Sequence, residues 1–208
     1  MKAATSPSWL GPPLLTLQGT QFHHACRDLM RLVEADYAPV LIIGIRTGGL
    51  TVATAMAATA CSPLPVLPLT CRRVTTGAKS RVPFFRAALG ALPRPMVDML
   101  RRIEHRVLTR SRVRNGGQQE IDQSETAAIA DHVASLGSRA RILVADDAVD
   151  SGTTLATVLR TLRDICPPGN EIRSAAITQT LEAPIARPDY VLFRGTLCRF
   201  PWSFDAAA

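Results

Sequence analysis

No stretch of this sequence comes near the roughly 18 apolar residues that cross a bilayer. The opening MKAATSPSWLGPPLL has one lysine, early prolines and no hydrophobic leader core. Both observations argue against a membrane partner, and a cytoplasmic protein is expected. The five cysteines, Cys26, Cys61, Cys71, Cys166 and Cys198, are odd in number, scattered and never spaced as Cys-x-x-Cys. That excludes a disulfide framework and a zinc site and leaves reduced, mostly buried small hydrophobes. There is no internal repeat, and no low-complexity tract beyond the alanines at 206–208. Lysine is nearly missing: Lys2 and Lys79 stand against 22 arginines.

What is present fits one globular domain over 1–208, with 47% apolar and 20% charged residues. The formal net charge of +7 suits either a nucleic acid or a small polyanionic substrate, and charge alone does not separate them. The densest basic cluster is RRIEHRVLTRSRVR, Arg101 to Arg114. It reads either as a solvated helix face or as a surface for nucleic acid.

Hydrophobic periodicity sets out the elements. Phe22, Ala25, Leu29, Leu32 and Val33 recur at helical spacing from Gln21 to about Glu34, with Thr20 as N-cap. Val40 to Gly44 is a continuous apolar run of the kind found in a strand buried on both faces. RTGG and the small-residue helix LTVATAMAATA follow it. LPVLPLTC at 64–71 reads as a strand that its prolines confine to an edge. Residues 72–94 have no clean period and form a basic loop, the first part of a variable insertion over about 72–122. Helices are predicted at about 95–110 and 122–136, the second opened by Asp122 or Ser124 and closed at Gly137. Further strands at 141–145, 172–179 and 189–193 surround a helix at 152–165. Strands alternating with helices predict an α/β fold, a mostly parallel sheet covered on both faces, with ligands at the carboxyl ends of its strands.

One stretch carries chemistry. ILVADDAVDSGTT, 142–154, runs from a buried strand into three carboxylates and then into small hydroxyl and glycine residues. Ser151, Gly152, Thr153 and Thr154 offer hydroxyls and free backbone N–H groups at a helix N-terminus, a site for a phosphate dianion. Asp146 and Asp147, just upstream, can accept hydrogen bonds from a vicinal diol or hold a hydrated Mg2+. Singly, each element is an ordinary cap or turn. In this order they describe a pocket for a 5-phosphoribosyl group.

That arrangement resembles the phosphoribosyl diphosphate signature of the type I phosphoribosyltransferases. LIIGIRTGGL, 41–50, is similar to the family's diphosphate loop, both in its xanthine-guanine branch and in the pyrimidine-operon attenuator branch. RPDYVLFRGTLCRFPWSFD, 187–205, resembles the purine branch's base-recognition segment, and QFHHACRDLMRLV its first helix. The likeness spans about 18–205 and is weakest between 72 and 122. It implies a Rossmann-like core with a small hood, and transfer of phosphoribose from its 1-diphosphate to a purine base, first a 6-oxopurine, with Mg2+ as cofactor and a homodimer as the usual assembly. By the same resemblance Arg46, Thr47, Gly48 and Gly49 bind diphosphate, across a peptide that is often cis, and Asp150 takes the proton released from the base. The hood falls on Arg72, Arg73 and Lys79. For the base the resemblance points to Val191, to Leu197 at the position of the stacking aromatic with Tyr190 and Trp202 nearby, and to Gln179 or Thr180 where the family has a lysine.

Two other classes remain open: a regulator that senses phosphoribosyl diphosphate or a nucleotide and binds RNA through Arg101–Arg114, and a catalytically weak nucleotide-binding homologue. Asp150 argues for chemistry and the purine-like tail against the pyrimidine regulator, so nucleic acid is not the expected partner; the missing lysine and the altered diphosphate loop keep the weak homologue open.

Overall fold

A computed structural model describes residues 12–73 and 119–203. In chain order the elements are β1 (Leu14–Thr16), α1 (Thr20–Glu34), β2 (Leu41–Ile45), α2 (Gly48–Ala57), β3 (Val66–Leu69), β4 (Cys71–Arg73) and β5 (Gln119–Ile121). There follow α3 (Gln123–Leu136), β6 (Arg141–Val149), α4 (Thr153–Ile165), β7 (Glu171–Gln179), β8 (Tyr190–Arg194) and β9 (Leu197–Arg199). The predicted helix at 95–110, Lys79 and the Arg101–Arg114 cluster lie outside the described residues.

The central sheet has the order β3-β2-β6-β7-β8, and every pairing in it is parallel. Its side chains alternate between two cores, as the pleat requires. Ile42, Leu143, Ala145, Ala175 and Ile177 pack with Phe22, Leu29, Val52 and Met56 of α1 and α2. Leu41, Ile43, Ile142, Val144 and Ala176 pack on the other face with Ile129, Val133, Val158 and Leu162 of α3 and α4. Apolar burial on both faces explains why β2 reads as an unbroken hydrophobic run. The proline within β3, Pro68, sits on an edge strand, as expected, opposite Gly44. Helix α3 is capped as its sequence indicated: the Asp122 carboxylate accepts from the N–H groups of Ser124 and Glu125, and Gly137 ends it.

Several boundaries differ from the sequence reading. Thr20 lies inside α1, whose N-cap is Gly19. The central strand β6 continues four residues past Ala145, because its pairing with β7 runs on to Val149 opposite Gln179. Asp146 and Asp147 are therefore strand residues, not loop residues. The short parallel pair β1–β9, with Leu14 opposite Leu197, was not anticipated, nor was β4–β5, which is antiparallel and brackets the segment between 73 and 119.

Just after α1, Tyr37 is 1% exposed, and its hydroxyl reaches the carbonyls of Ile142 at 3.0 Å and Glu171 at 2.8 Å, joining the amino ends of β6 and β7. Tyr37→Phe leaves those carbonyls without that donor. It is expected to lower unfolding stability by about 1–2 kcal/mol, read as an earlier midpoint in urea denaturation.

Candidate active site

The carboxyl ends of β2, β6 and β7 bring three loops together. The first is Arg46–Gly49, between β2 and α2. Its Arg46–Thr47 peptide is cis, as the resemblance implied. The glycines after it are required by close approach. A Cβ on Gly48 would overlap the Asp147 carboxylate, and one on Gly49 would come within 2.6 Å of the Ala145 carbonyl oxygen and 2.9 Å of an Asp146 carboxylate oxygen. The expected diphosphate loop thus lies directly on the expected diol-binding acids.

Those acids sit at the half-buried end of the strand. The Asp146 carboxyl is held well above the usual carboxylate range, first by burial and then by the charge of Asp147, with a further push from Asp150. Burial also raises Asp147, against the downward pull of its hydrogen bonds. One of these comes from Trp202, whose indole N–H donates to Asp147 Oδ2 at 3.1 Å. Trp202 is aimed by its neighbours: it stacks on Phe200 at 5.1 Å with planes 2° apart and meets Phe22 of α1 edge-on at 5.4 Å. The charge of Asp146 is also felt by Cys71, whose thiol is pushed up to about 11, first by burial and then by that charge.

The second loop, Asp150–Gly152, opens α4. Gly152 is the N-cap at φ 76°, a conformation that favours glycine. A Cβ there would also strike Ala186, with the Ala186 nitrogen only 2.6 Å away. As a glycine, the N-cap residue of α4 has no side chain to cap it. Its first-turn N–H groups have no intrahelical partners and make an anion site. Ser151 and Thr153 share a hydroxyl hydrogen bond of 3.0 Å. Thr154 accepts from Gln119 Nε2 at 3.3 Å, and Cys71 Sγ donates to the Oε1 of the same glutamine at 2.8 Å. Through Gln119 the β4–β5 pair, which carries Arg72 and Arg73, is fastened to the start of α4.

The third loop follows β7. Thr180 Oγ1 donates to Asp150 Oδ1 at 2.6 Å, so the residue at the expected lysine position touches the expected proton acceptor. Gln179 does not join them. It is 2% exposed, with its amide nitrogen donating to the Leu181 carbonyl at 2.7 Å and its amide oxygen accepting from Arg194 at 2.9 Å. Tyr190 is likewise elsewhere: its hydroxyl bonds with Arg173 and Asp36 at the amino end of the sheet, and its ring belongs to the core. Val191 is half-buried in β8. Leu197 is buried in β9, and alternation puts it on the face opposite Cys198, whose side chain joins the core.

The sequence reading missed the partner of Arg46. Its Nε and Nη2 both reach Glu125 Oε1, each at 3.1 Å, across 79 residues of sequence. Glu125 carried only the signal of an acidic first turn, which a helix cap already explains. Among the described residues no group of three or more ligating side chains could hold a metal, and no helix is long and apolar enough to cross a membrane.

Comparison with known proteins accounts for this geometry. Residues 17–206 match the phosphoribosyl transferase domain family. No curated protein matches the chain. Among solved structures it is similar to a purine phosphoribosyltransferase from Pyrococcus horikoshii Ot3 (18% identity, TM-score 0.57, covering 91% of this chain and 93% of that one). It is also similar to the Helicobacter pylori xanthine-guanine-hypoxanthine phosphoribosyltransferase (18% identity, TM-score 0.57, 93% and 96% covered). A third similar structure is a Neisseria gonorrhoeae hypothetical protein with bound ppGpp (14% identity, TM-score 0.59, 94% and 93% covered). At such identities the structures speak for the fold, a mostly parallel sheet with three loops meeting at its carboxyl ends. With the family match running through the same loops and almost from end to end, the chain belongs to the phosphoribosyl transferase domain family.

Proposed function

We propose that this phosphoribosyltransferase moves a 5-phosphoribosyl group from phosphoribosyl diphosphate to a purine base, first a 6-oxopurine, as in purine salvage. The observation that carries the reading is the contact of Gly48 and Gly49 with Asp147 and Asp146, one short loop away from the glycine-capped start of α4. A ligand bridging those groups needs diphosphate, diol and monophosphate within one sugar's span. The purine acceptor is supported by the names of the Pyrococcus horikoshii and Helicobacter pylori proteins.

Each residue then has a job. The N–H groups and hydroxyls of Ser151, Gly152, Thr153 and Thr154 hold the 5-phosphate. Asp146 and Asp147 accept from the ribose hydroxyls and stabilise positive charge developing at the anomeric carbon. Arg46, Thr47, Gly48 and Gly49 take the diphosphate, with Arg72, Arg73 and Lys79 as the hood that closes against water. Asp150 accepts the proton released from the base nitrogen. Val191 offers backbone to the base edge, and Leu197 covers its face.

The donor set fits Mg2+. Two hard carboxylates suit an ion that keeps waters and shares substrate oxygens, and relief of their mutual repulsion favours its arrival. Bound there, it supplies neutralisation of the leaving diphosphate. A homodimer in the cytoplasm is the expected state of the enzyme.

A second reading, a nucleotide-binding regulator, is favoured by the ppGpp bound to the Neisseria gonorrhoeae protein and by the lack of a lysine at 179–180. Incubation with Mg2+, phosphoribosyl diphosphate and a panel of bases decides between them. Diphosphate release with a purine is expected; no release with any base, together with salt-sensitive RNA binding, favours the regulator.

Asp150→Asn is expected to lower kcat by about 10²–10⁴-fold while calorimetric affinity for phosphoribosyl diphosphate stays within a few-fold. Loss of that affinity would overturn the assignment of Asp150 to the base. Asp146→Asn tests the acid pair through pH. Because the folded protein raises the Asp146 carboxyl, its contribution to stability is complete below the ordinary carboxylate range and is lost as pH rises through the raised value. The ligand-free variant should therefore melt like wild type near about pH 4 and increasingly above it towards neutrality, while turnover falls about a hundredfold or more. A variant less stable than wild type at neutral pH contradicts the charge argument.

A further inference from the structure

Arg46 is already committed on one side. A guanidinium presents two N–H edges in a rigid plane. Its Nε and Nη2 edge is closed on Glu125 Oε1, with both distances at 3.1 Å. The other carboxylate oxygen, Oε2, accepts from the backbone N–H of Thr70 at the joint between β3 and β4. Glu125 is itself fixed, since its backbone N–H donates to the Asp122 cap at 3.1 Å, and Asp122 N–H returns to the Thr70 carbonyl at 3.0 Å. The Glu125 side chain is 18% exposed and that of Arg46 44%. The carboxylate is therefore the anchored member of the pair and the arginine its half-exposed extension.

We propose that Glu125 is a positioning residue for the leaving diphosphate: it holds Arg46 by one guanidinium edge so that the Nη1–Nη2 edge meets the diphosphate, and through Thr70 it keeps this arginine in register with the base of the hood. The proposal rests on the assignment of Arg46 to diphosphate binding. A carboxylate is an unexpected neighbour for a polyanion, because its charge opposes binding. Orientation outweighs that opposition only if the arginine would otherwise spread over many rotamers, as a half-exposed side chain does. The nearer carboxylate oxygen, Oε1, is the one in contact with the guanidinium, whose positive charge offsets it.

The test uses the whole chain with Glu125→Ala, Glu125→Gln, Arg46→Ala and the double variant Arg46→Ala/Glu125→Ala. For Glu125→Ala the KM for phosphoribosyl diphosphate should rise about tenfold, with the KM for the base within twofold. Glu125→Gln, which keeps one acceptor for Arg46, should fall between it and wild type. In the Arg46→Ala background removal of Glu125 should change the KM no further, whereas a residue that merely supports the fold would lower both backgrounds alike. Calorimetry with inorganic diphosphate and Mg2+ repeats the comparison without catalysis. A wild type inactive on every base defeats the proposed function yet leaves this binding comparison able to decide Glu125. Equal diphosphate affinity in wild type and Glu125→Ala overturns the proposal, as do equal losses for diphosphate sugar and base. Should the alanine variant fail to fold, the glutamine variant and its double with Arg46→Ala carry the same comparison.

Discussion

The site depends on one close contact, the seating of Gly48 and Gly49 against the carboxylates at the end of β6. There is no room for a β-carbon on either residue: Gly48 faces the Asp147 carboxylate, and Gly49 faces backbone as well as side chain of the strand. Backbone cannot step aside as a flexible side chain can, so this approach fixes the β2–α2 loop relative to the acids. The acids in turn are fixed by register, with Asp146 opposite Ala176 in β7. The start of α4 is fastened by Ala186 against Gly152 and by the 2.8 Å bond from Ile185 N–H to the Ser151 carbonyl. Three loops that are far apart in sequence thus share one frame, and a ligand that spans them meets groups already in place.

The same frame stores an electrostatic cost. Asp146 and Asp147 are brought together at the partly buried end of a strand, where charge is disfavoured by desolvation and by the neighbour. Among the described residues compensation is only partial, from the indole N–H of Trp202 and local backbone N–H groups. Arg46 turns one guanidinium edge to Glu125 instead. A fold selected for stability alone would place apolar residues or a paired cation here. An unbalanced acid pair makes sense as a receptor for hydroxyl donors and a divalent cation, which supply what the chain withholds.

What the sequence disclosed and what it hid follow from the range of each signal. The run from buried strand through Asp146, Asp147 and Asp150 to the hydroxyls of α4 is continuous in sequence, so its order could be read directly. So could the Asp122 and Gly137 caps and the edge proline of β3, each a matter of a few neighbouring residues. The length of β6 was underestimated because two aspartates are poor strand formers, and only the pairing with β7 carries the strand through them. The β1–β9 pair joins segments 183 residues apart, as in the bond from Arg199 to Thr16, and three-residue strands leave almost no periodicity to detect. Tyr190 looked like an aromatic for the base because it stands in the recognition segment. The parallel pairing of β8 puts it level with Ala175 instead, and its hydroxyl finds Asp36 and Arg173 at the other end of the sheet.

At the base end the hydrogen-bond inventory is informative. Gln179 has its amide oxygen on Arg194 and its amide nitrogen on the loop after β7, so both ends of its amide are engaged within the fold. Thr180 has a single hydroxyl proton, and that proton points at Asp150. While Asp150 is ionised, Thr180 can therefore only accept from a ligand, which suits a ring or exocyclic N–H and not an oxo group. On the proposed reading this reverses during turnover. Once Asp150 takes the base proton it becomes the donor of the pair, and the Thr180 hydroxyl is released to donate elsewhere, to an oxo group on the newly formed nucleotide for example. A lysine at that position would hold the oxo group throughout the reaction. On the same proposed reading a threonine responds to the protonation state of its neighbour, and its 2.6 Å contact with Asp150 is where recognition of the base and removal of its proton would be coupled.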